Sequence, residues 1–284
     1  MIANSFEYSA PGSLKEALTL MADGGKPLAG GMSLIPMMKL RLANPEHLVD
    51  IGQLAELNYV REENGEIHIG AAVTHYDVES SPLLMGKCPL IAETASMIGD
   101  IQVRNRGTIG GSVAHADPSA DYPAALHALE AKIVVMSAEG SRTLSTEEFF
   151  LDTFTTALEP EEIVAEIIVP IDAGLTGTSY QKFLQPASGF AMVGAAARIR
   201  QQGGKFSMVR VGITGLSGNS YRAANVEAAL EGKDVSDDNI RAAAALVADG
   251  QDASSDLHAS ATYRSALAVA YTARALRAAL SRSA

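Results

Sequence analysis

The sequence predicts an α+β protein with two small α/β lobes followed by a C-terminal domain that holds an antiparallel sheet and helices. Three observations support this fold class. Residues 1–53 carry a pattern of strand, glycine loop, helix and strand, and residues 54–176 again mix short strand and helix patterns. From residue 177 onward, strand patterns separated by turns give way to an alanine-rich region with helical spacing. At 284 residues the chain is long enough for two or three small domains.

The N-terminal lobe is predicted over residues 1–53. Residues 5–8 are expected to be extended, and Pro11-Gly12 indicates a turn. Ser13, with Glu16 three residues later, predicts a capped helix start. The other predicted elements are a strand at 27–29, a helix at 34–41 with Ser33 as its N-cap, and a strand at 47–51.

The second lobe is predicted over residues 54–176. Its strands are expected at 66–70, 132–136 and 162–169, and its helices at 74–79, 89–98 and 121–129. Between the last two helices lies a long polar and glycine-rich stretch, residues 101–118. Residues 172–177 have the composition of a linker to the next domain.

The C-terminal domain is predicted over residues 177–284. Strands are expected at 178–184, 190–200 and 206–214, the last two joined across Gly203-Gly204. The alanine-rich remainder predicts helices at 225–230, 237–247 and 259–280.

The charge balance excludes one class of function. The chain has 22 basic and 33 acidic residues, a net charge of −11, whereas nucleic-acid binding depends on clustered Lys and Arg. A small anionic ligand stays possible, because backbone amides can bind it without net positive charge. No apolar run reaches the eighteen residues of a membrane span, and residues 1–10 lack the features of a secretion signal. We therefore expect a cytoplasmic protein.

The single cysteine, Cys88, restricts the redox chemistry that this chain can hold. An iron–sulfur cluster generally takes four thiolate ligands, and a disulfide takes two. Any redox centre must therefore be an organic cofactor or belong to a partner subunit.

Two similar glycine-containing segments are the most informative feature of the sequence. The first glycine loop is residues 29–33, Ala-Gly-Gly-Met-Ser, and the second glycine loop is residues 108–112, Thr-Ile-Gly-Gly-Ser. Paired glycines let successive backbone amides point into one concavity, and the hydroxyls add donors for phosphate oxygens. Two such loops facing each other could bind the two phosphates of a dinucleotide. The alternative is that each is an ordinary turn, since neither matches the Rossmann fingerprint or the P-loop.

The wider context of both loops resembles a known family. Residues 29–43, AGGMSLIPMMKLRLA, are similar to the first FAD loop and helix in the medium subunits of carbon monoxide dehydrogenase-type enzymes. Residues 98–112, IGDIQVRNRGTIGGS, resemble that family's second loop, and residues 114–121, AHADPSAD, continue the match. The order, the spacing and the following antiparallel domain also agree, so the resemblance covers essentially the whole chain.

This resemblance implies a PCMH-type FAD-binding module and a place in a molybdenum hydroxylase of the xanthine dehydrogenase and carbon monoxide dehydrogenase group. A large partner subunit would carry a molybdenum–pterin centre, and a small one would carry iron–sulfur clusters, as a dimer of heterotrimers. The chain itself would pass electrons through FAD to an external acceptor and needs no catalytic side chain or metal. The substrate is not implied, because its pocket lies in another subunit.

The resemblance also implies the cofactor-binding positions. Gly30, Gly31 and Ser33 would contact the FAD pyrophosphate from one side, and Thr108, Gly110 and Gly111 from the other. The full set is Ala29, Gly30, Gly31, Met32, Ser33, Leu34, Thr108, Ile109, Gly110, Gly111, Ser112, Asp121, Val164 and Lys182. The chain departs from the family at Met32, often His in carbon monoxide dehydrogenases, at Ser112, often Asn, and between Lys182 and Ala191, where an Arg and an Asp are often found.

Several candidate residues also have a second interpretation. Asp121 could cap a helix, Lys182 could be solvated, and Phe190 could either pack on the flavin or lie in a core strand. Arg104 and Arg106 could attract phosphate, but we favour pairing with acids such as Asp100. His115, Asp117 and Asp121 could form a metal site, although their spacing matches no zinc motif.

Two other functions stay open at the level of the sequence. The first is a self-standing FAD oxidoreductase that binds its own substrate. The second is a flavin-free assembly factor, against which the intact glycine pairs argue. Co-purification with other subunits separates the first from an electron-transfer subunit, and a bound flavin separates both from the second.

Overall fold

Four β-sheets organise the computed structural model, which describes residues 2–172 and 174–283. The described strands are β1 (Glu7–Ser9), β2 (Lys26–Leu28), β3 (His47–Asp50), β4 (Val60–Glu63), β5 (Glu66–Gly70), β6 (Lys132–Ser137), β7 (Gly140–Ser145), β8 (Phe150–Asp152), β9 (Thr155–Thr156), β10 (Ile163–Pro170), β11 (Gly177–Leu184), β12 (Ala191–Gln202), β13 (Lys205–Thr214) and β14 (Tyr221–Arg222).

The described helices lie mainly between β5 and β6 and after β14. They are α1 (Leu14–Ala22), α2 (Leu34–Lys39), α3 (His75–Ser80), α4 (Pro82–Lys87), α5 (Pro89–Ser96), α6 (Ile101–Arg104), α7 (Ile109–His115), α8 (Tyr122–Leu129), α9 (Thr146–Phe149), α10 (Ala224–Leu230), α11 (Asp237–Ala244) and α12 (Ala261–Ser281), with a 3-10 turn at Ala55–Leu57. This succession of elements agrees with the predicted α+β class.

The N-terminal sheet joins β1, β3 and β2 in that order, with parallel neighbours. The hydroxyl of Ser13 accepts a hydrogen bond from the N–H of Glu16 at 3.3 Å, so the predicted cap of α1 is confirmed. The predicted cap of α2 is wrong, because Ser33 occupies the N-cap position without a side-chain hydrogen bond to the helix. The predicted helix at 34–41 ends at Lys39, and Arg41 adopts a left-handed φ of 60°.

The second sheet has the order β4-β5-β10-β6-β7 with antiparallel neighbours, and helices α3–α8 are packed around it. Strands β4 and β7 were not predicted. They lie at the two edges, and their mostly exposed side chains lack the apolar alternation that identifies a strand.

The polar and glycine-rich stretch 101–118, for which no helix was predicted, contains the two short helices α6 and α7. The Asp100 carboxylate accepts hydrogen bonds from the N–H groups of Gln102 and Val103 at 2.8 and 2.9 Å. The Thr108 hydroxyl accepts one from the N–H of Gly111 at 3.1 Å. These caps compensate for the low helix propensity of the glycines.

The C-terminal sheet has the order β11-β12-β13-β14 with antiparallel neighbours. Its strands agree with the three predicted, apart from the added two-residue β14, and α12 packs on β11 and β12. The predicted linker at 172–177 includes Ala173, which lies outside the described residues, as do Met1 and Ala284. None of the helices within residues 2–172 and 174–283 combines the length and the apolar character that crossing a bilayer requires.

Helix α8 joins the second sheet to the C-terminal sheet, and all eight of its residues are buried. Strand β13 approaches it backbone to backbone at Gly212. A Cβ at Gly212 would overlap the carbonyl oxygen of Ala124 and lie 2.8 Å from its carbonyl carbon. The two parts of the chain are therefore packed around one shared helix.

The C-terminal cap of α8 is held by charge. Glu130 has a left-handed φ of 54°, which is unusual for a residue with a side chain. Its carboxylate lies 3.0 Å from both Arg210 Nε and Arg222 Nη1, and 3.5 Å from Arg198 Nη1. These arginines come from β13, β14 and β12. Because partly exposed ion pairs contribute about 1 kcal/mol or less each, the cluster mainly orients the two parts of the chain.

We expect Gly212→Ala to lower the free energy of unfolding by about 2 kcal/mol, because the added methyl group has to displace the backbone of α8. Urea denaturation followed by circular dichroism measures this. Gly86→Ala is the matched control, since a Cβ at Gly86 would meet no atom within 4 Å and alanine favours a helix. Equal midpoints for Gly212→Ala and wild type would contradict the described packing.

The pH dependence of stability tests the same junction at His127. Burial lowers the pKa of His127 to about 4, and its Nε2 lies 3.2 Å from the Ser220 hydroxyl. The unfolded chain takes up a proton near pH 6.5, so stability is highest above pH 6.5 and falls as the pH drops towards about 4. This histidine accounts for roughly 3 kcal/mol of that fall at most.

We therefore expect His127→Gln to lose less stability than wild type between pH 7 and pH 4, as measured by urea unfolding. Burial lowers the pKa of His75 to about 4, which acts in the same sense, and raises the pKa of Asp121 to about 6, which acts in the opposite sense. Both groups are present in wild type and variant, so they cancel in the comparison. Parallel pH curves for the two proteins would show that His127 is not buried as described.

Candidate cofactor site

The first glycine loop contacts, at Gly30, the segment that directly precedes the second glycine loop. A Cβ at Gly30 would overlap the carbonyl oxygen of Arg106 and lie 2.7 Å from the Cα of Gly107. Only a residue without a side chain allows this approach. The structure thus brings the start of the first loop against the segment that leads into the second.

The first glycine loop carries free hydrogen-bond donors. Among the described residues, none accepts a hydrogen bond from the N–H groups of residues 30–33. Gly31 has φ 73°, and a Cβ there would lie 2.6 Å from Cδ1 of Ile35, so the loop turns sharply over α2. The Ser33 hydroxyl, which does not cap α2, is available as a further donor. Ala29 and Leu34 flank the loop and are half-buried, and Met32 is exposed.

The second glycine loop differs from the first, because residues 109–112 form the first turn of α7 and their N–H groups are already bonded. The N–H groups of Ile109 and Gly110 donate to the carbonyl oxygens of Val73 and Ala71, both at 3.0 Å. Those of Gly111 and Ser112 donate to the hydroxyl and carbonyl oxygens of Thr108. The expectation that both loops present free amides is therefore wrong for the second loop.

The glycines of the second loop have separate surroundings. A Cβ at Gly110 would overlap the side chain of Ala71, so Gly110 is required by packing. Gly111 is exposed, and a Cβ there would meet only the Thr108 hydroxyl, at 2.8 Å. Ser112, beside it, is half-buried, whereas Thr108 and Ile109 are buried. The second loop thus presents its surface at Gly111 and Ser112.

Asp121 and Lys182 pair with each other between α8 and β11. Lys182 Nζ lies 2.9 Å from Asp121 Oδ1 and also donates to the carbonyl oxygen of Met97 at 2.7 Å. The Tyr180 hydroxyl donates to the same carboxylate at 2.5 Å. Burial raises the pKa of Asp121 to about 6, while the positive charge of Lys182 opposes that rise. The simpler interpretation of Lys182 as a solvated residue is wrong, since its side chain is only 1% exposed.

Val164 is linked to the second loop through its neighbour Ala165 and through Ala71. The strand β10 has a bulge between Val164 and Glu166, and the carbonyl oxygen of Ala165 accepts a hydrogen bond from the N–H of Ala71 at 3.0 Å. Ala71 in turn accepts from Gly110. The bulge therefore supports the first turn of α7, and Val164 itself is buried.

Sequence reasoning missed His75, which positions the entrance of the second loop. Its backbone N–H donates to the carbonyl oxygen of Gly107 at 2.9 Å. Its ring fills the space beside Gly107, where a Cβ would lie 2.6 Å from Nε2, and Nδ1 lies 3.2 Å from the Tyr122 hydroxyl. Burial lowers the pKa of His75 to about 4, so the ring is neutral near pH 7. A single scattered histidine gave no sequence signal for this role.

The two arginines of the second segment have different surroundings. Arg104 pairs with Glu79, at 2.7 Å between Nε and Oε2, and not with Asp100, which caps α6. Arg106 is exposed, and within residues 2–172 and 174–283 its guanidinium makes no ion pair or hydrogen bond within the distances that define them. The prediction that both arginines pair with acids therefore holds for Arg104 only.

The remaining candidates are in separate contacts. The ring of His115 packs on Phe154 with centroids 5.0 Å apart, and Asp117 accepts a hydrogen bond from the N–H of Ser119. Together with the pairing of Asp121, this directs the three side chains to different partners. Phe190 is 46% exposed, so its interpretation as a core strand residue is wrong.

Comparison with known proteins agrees with this geometry. The family described as "FAD binding domain in molybdopterin dehydrogenase" matches residues 4–172, and the "CO dehydrogenase flavoprotein C-terminal domain" matches residues 178–279. The chain is 42% identical to the carbon monoxide dehydrogenase medium chain of Hydrogenophaga pseudoflava, over 100% of both chains. It is 37% identical to the glyceraldehyde dehydrogenase medium chain of Sulfolobus acidocaldarius, over 98% of this chain and 99% of the relative.

Solved structures give the same result. A structure of carbon monoxide dehydrogenase from Hydrogenophaga pseudoflava superposes with a TM-score of 0.97 at 43% identity, covering 100% of both chains. Quinoline 2-oxidoreductase from Pseudomonas putida 86 superposes with a TM-score of 0.94 at 32% identity, again covering 100% of both chains. The free donors of the first loop and the open surface at Gly111 fit the phosphates of a dinucleotide. The chain therefore belongs to the FAD-binding medium subunits of the carbon monoxide dehydrogenase family of molybdenum hydroxylases, which are oxidoreductases, and its cofactor is FAD.

Proposed function

We propose that this chain is the electron-transfer subunit of a molybdenum hydroxylase complex in the cytoplasm. It would accept electrons from iron–sulfur clusters of a small partner subunit and deliver them to an external acceptor, while a large molybdenum–pterin subunit oxidises the substrate. The complex would be a dimer of heterotrimers. The observation that carries this proposal is the contact of Gly30 with the segment that leads into the second glycine loop, together with the free donors on the first loop.

The residues of the two loops would hold the FAD pyrophosphate in different ways. The first loop would donate hydrogen bonds from the N–H groups of residues 30–33 and from the Ser33 hydroxyl. The second would offer a rigid surface at Gly111 and the Ser112 hydroxyl, with Thr108, Ile109 and Gly110 holding that surface in place. Ala29, Met32 and Leu34 would line the entrance of the first loop.

Asp121, Lys182 and Val164 would contact the remainder of FAD. The two charged side chains hold each other in one orientation, because a charged group is stable away from water only when it is paired. FAD held by these residues would supply the redox chemistry between one-electron carriers and the external acceptor, and the protein's contribution would be to position it. The three parts would span residues 1–53, 54–176 and 177–284.

The chain's own composition supports a partner for the single-electron carriers. Its one thiol, Cys88, is buried, and burial raises the pKa of Cys88 to about 12, so it is a poor metal ligand. Two of the similar proteins are named medium chains, which indicates subunits of other sizes in those enzymes. A self-standing FAD oxidoreductase is the second candidate, and the medium-chain names of the similar proteins argue against it.

Native purification from the source organism tests the proposal. We expect the chain to elute with a larger and a smaller subunit, and with molybdenum, iron and about one FAD per chain. The complex would then be reduced anaerobically with limiting dithionite and mixed with an artificial dye acceptor. Substrate turnover by the isolated chain would favour the self-standing enzyme, and a complex without flavin would favour an assembly factor.

We expect Gly111→Val to abolish retention of FAD while the chain stays folded, because its side chain would project into the open space at the surface of the second loop. Absorption at the flavin maxima, normalised to protein, measures this loss. In the intact complex, this variant should also fail to transfer electrons from reduced clusters to the dye.

Gly86→Val is the matched control, because it places the same side chain in a helix with no atom near the added Cβ. Valine has a higher helix propensity than glycine, so both variants gain a similar amount, and Gly86→Val should keep its flavin. A Gly111→Val protein with wild-type flavin content would show that the surface at Gly111 does not face the cofactor.

A further inference from the structure

The pyrophosphate of FAD brings two negative charges to a chain whose net charge is −11. The free donors of the first loop are neutral amides and a hydroxyl, and the N–H groups of residues 109–112 in the second loop are bonded within the chain. At long range, the acidic chain repels an anion. A cation close to the meeting point of the two loops would offset this repulsion.

Most cations in this region are already bound to other groups. Lys182 is buried and pairs with Asp121, and Arg104 pairs with Glu79 and donates to the carbonyl oxygen of Ile98 at 3.1 Å. Arg106 is exposed, and within the described residues its guanidinium makes neither an ion pair nor a hydrogen bond. Burial and pairing thus leave Arg106 as the available charge on this segment.

The backbone of Arg106 is in contact with the first loop. Its carbonyl oxygen occupies the position that a Cβ at Gly30 would take, and the next residue, Gly107, lies 2.7 Å from that position. The bond between the N–H of His75 and the carbonyl oxygen of Gly107, at 2.9 Å, fixes this part of the backbone. A long side chain starting here can reach an anion held by the amides of residues 30–33.

We propose that Arg106 is a pyrophosphate-binding residue that supplies the positive charge between the two glycine loops. The inference rests on the proposed role of those loops in binding FAD. A guanidinium can donate two parallel hydrogen bonds to one phosphate, and it keeps its charge at any accessible pH. Arg106 thereby supplies a positive charge at the place where Gly30 allows the two segments to come into close contact.

Titration of the apoprotein with FAD and with ADP tests this inference, because ADP carries the phosphates without the flavin. We expect Arg106→Gln to lower the affinity for both ligands about tenfold, as for loss of one charge-assisted hydrogen bond. Arg106→Lys should lose less, since it keeps the charge without the fork. The salt dependence of FAD binding should be smaller in Arg106→Gln than in wild type.

Arg41→Gln is the matched control. Arg41 is also exposed, and its guanidinium makes no ion pair or hydrogen bond with the part of the chain that the structure describes, but it lies beyond the far end of α2. Its loss changes the net charge by the same amount, so a general charge effect would weaken binding equally in the two variants. We expect less than a twofold effect for Arg41→Gln.

The outcomes separate this inference from the proposed function. Equal affinities for Arg106→Gln and Arg41→Gln, or a loss of FAD affinity without a loss of ADP affinity, would overturn the role of Arg106 alone. A wild-type chain that binds neither ligand, alone or with its partner subunits, would overturn the loop assignment as well.

Discussion

The contact between Gly30 and the backbone of Arg106 and Gly107 is the constraint on which the site depends. It is a steric condition with little tolerance, because any side chain at Gly30 would overlap a carbonyl oxygen. Hydrogen bonds extend the constraint into the second sheet, from Gly107 to His75, from Gly110 to Ala71 and from Ala71 to Ala165. The first loop is therefore seated on a segment that the second sheet already holds.

The two loops divide the work of binding because their amides differ. In the second loop, the N–H groups of residues 109–112 are bonded within the chain, so its shape is set before a ligand arrives. In the first loop, the N–H groups of residues 30–33 have no acceptor among the described residues, so they gain one when an anion binds. Because the second loop has its shape before binding, the loss of conformational entropy on binding is limited.

The sequence predicted the fold class, most strands and most helices, because their apolar periodicity survives in the structure. It failed at β4 and β7, whose exposed side chains carry no such period, and at α6 and α7, where polar caps outweigh glycine. Motif comparison could identify the two loops as a pair. It could not reveal that the N–H groups of residues 109–112 are bonded or that Lys182 is buried against Asp121. Nor could it reveal that Arg104 pairs with Glu79 whereas Arg106 is exposed. These depend on contacts between residues far apart in the chain.

Helix α8 also determines how the chain can be divided. Asp121 at its N-terminus does not cap the helix but is tied to Lys182 of β11. Glu130 at its C-terminus is tied to arginines of β12, β13 and β14, and its middle contacts Gly212. A fragment that began after residue 176 would leave an uncovered apolar face and three arginines without Glu130. Elements that share a buried helix tend to open together as one cooperative unit. Although the sequence pattern suggests a boundary near residue 176, we therefore expect the second and third parts to unfold as one cooperative unit.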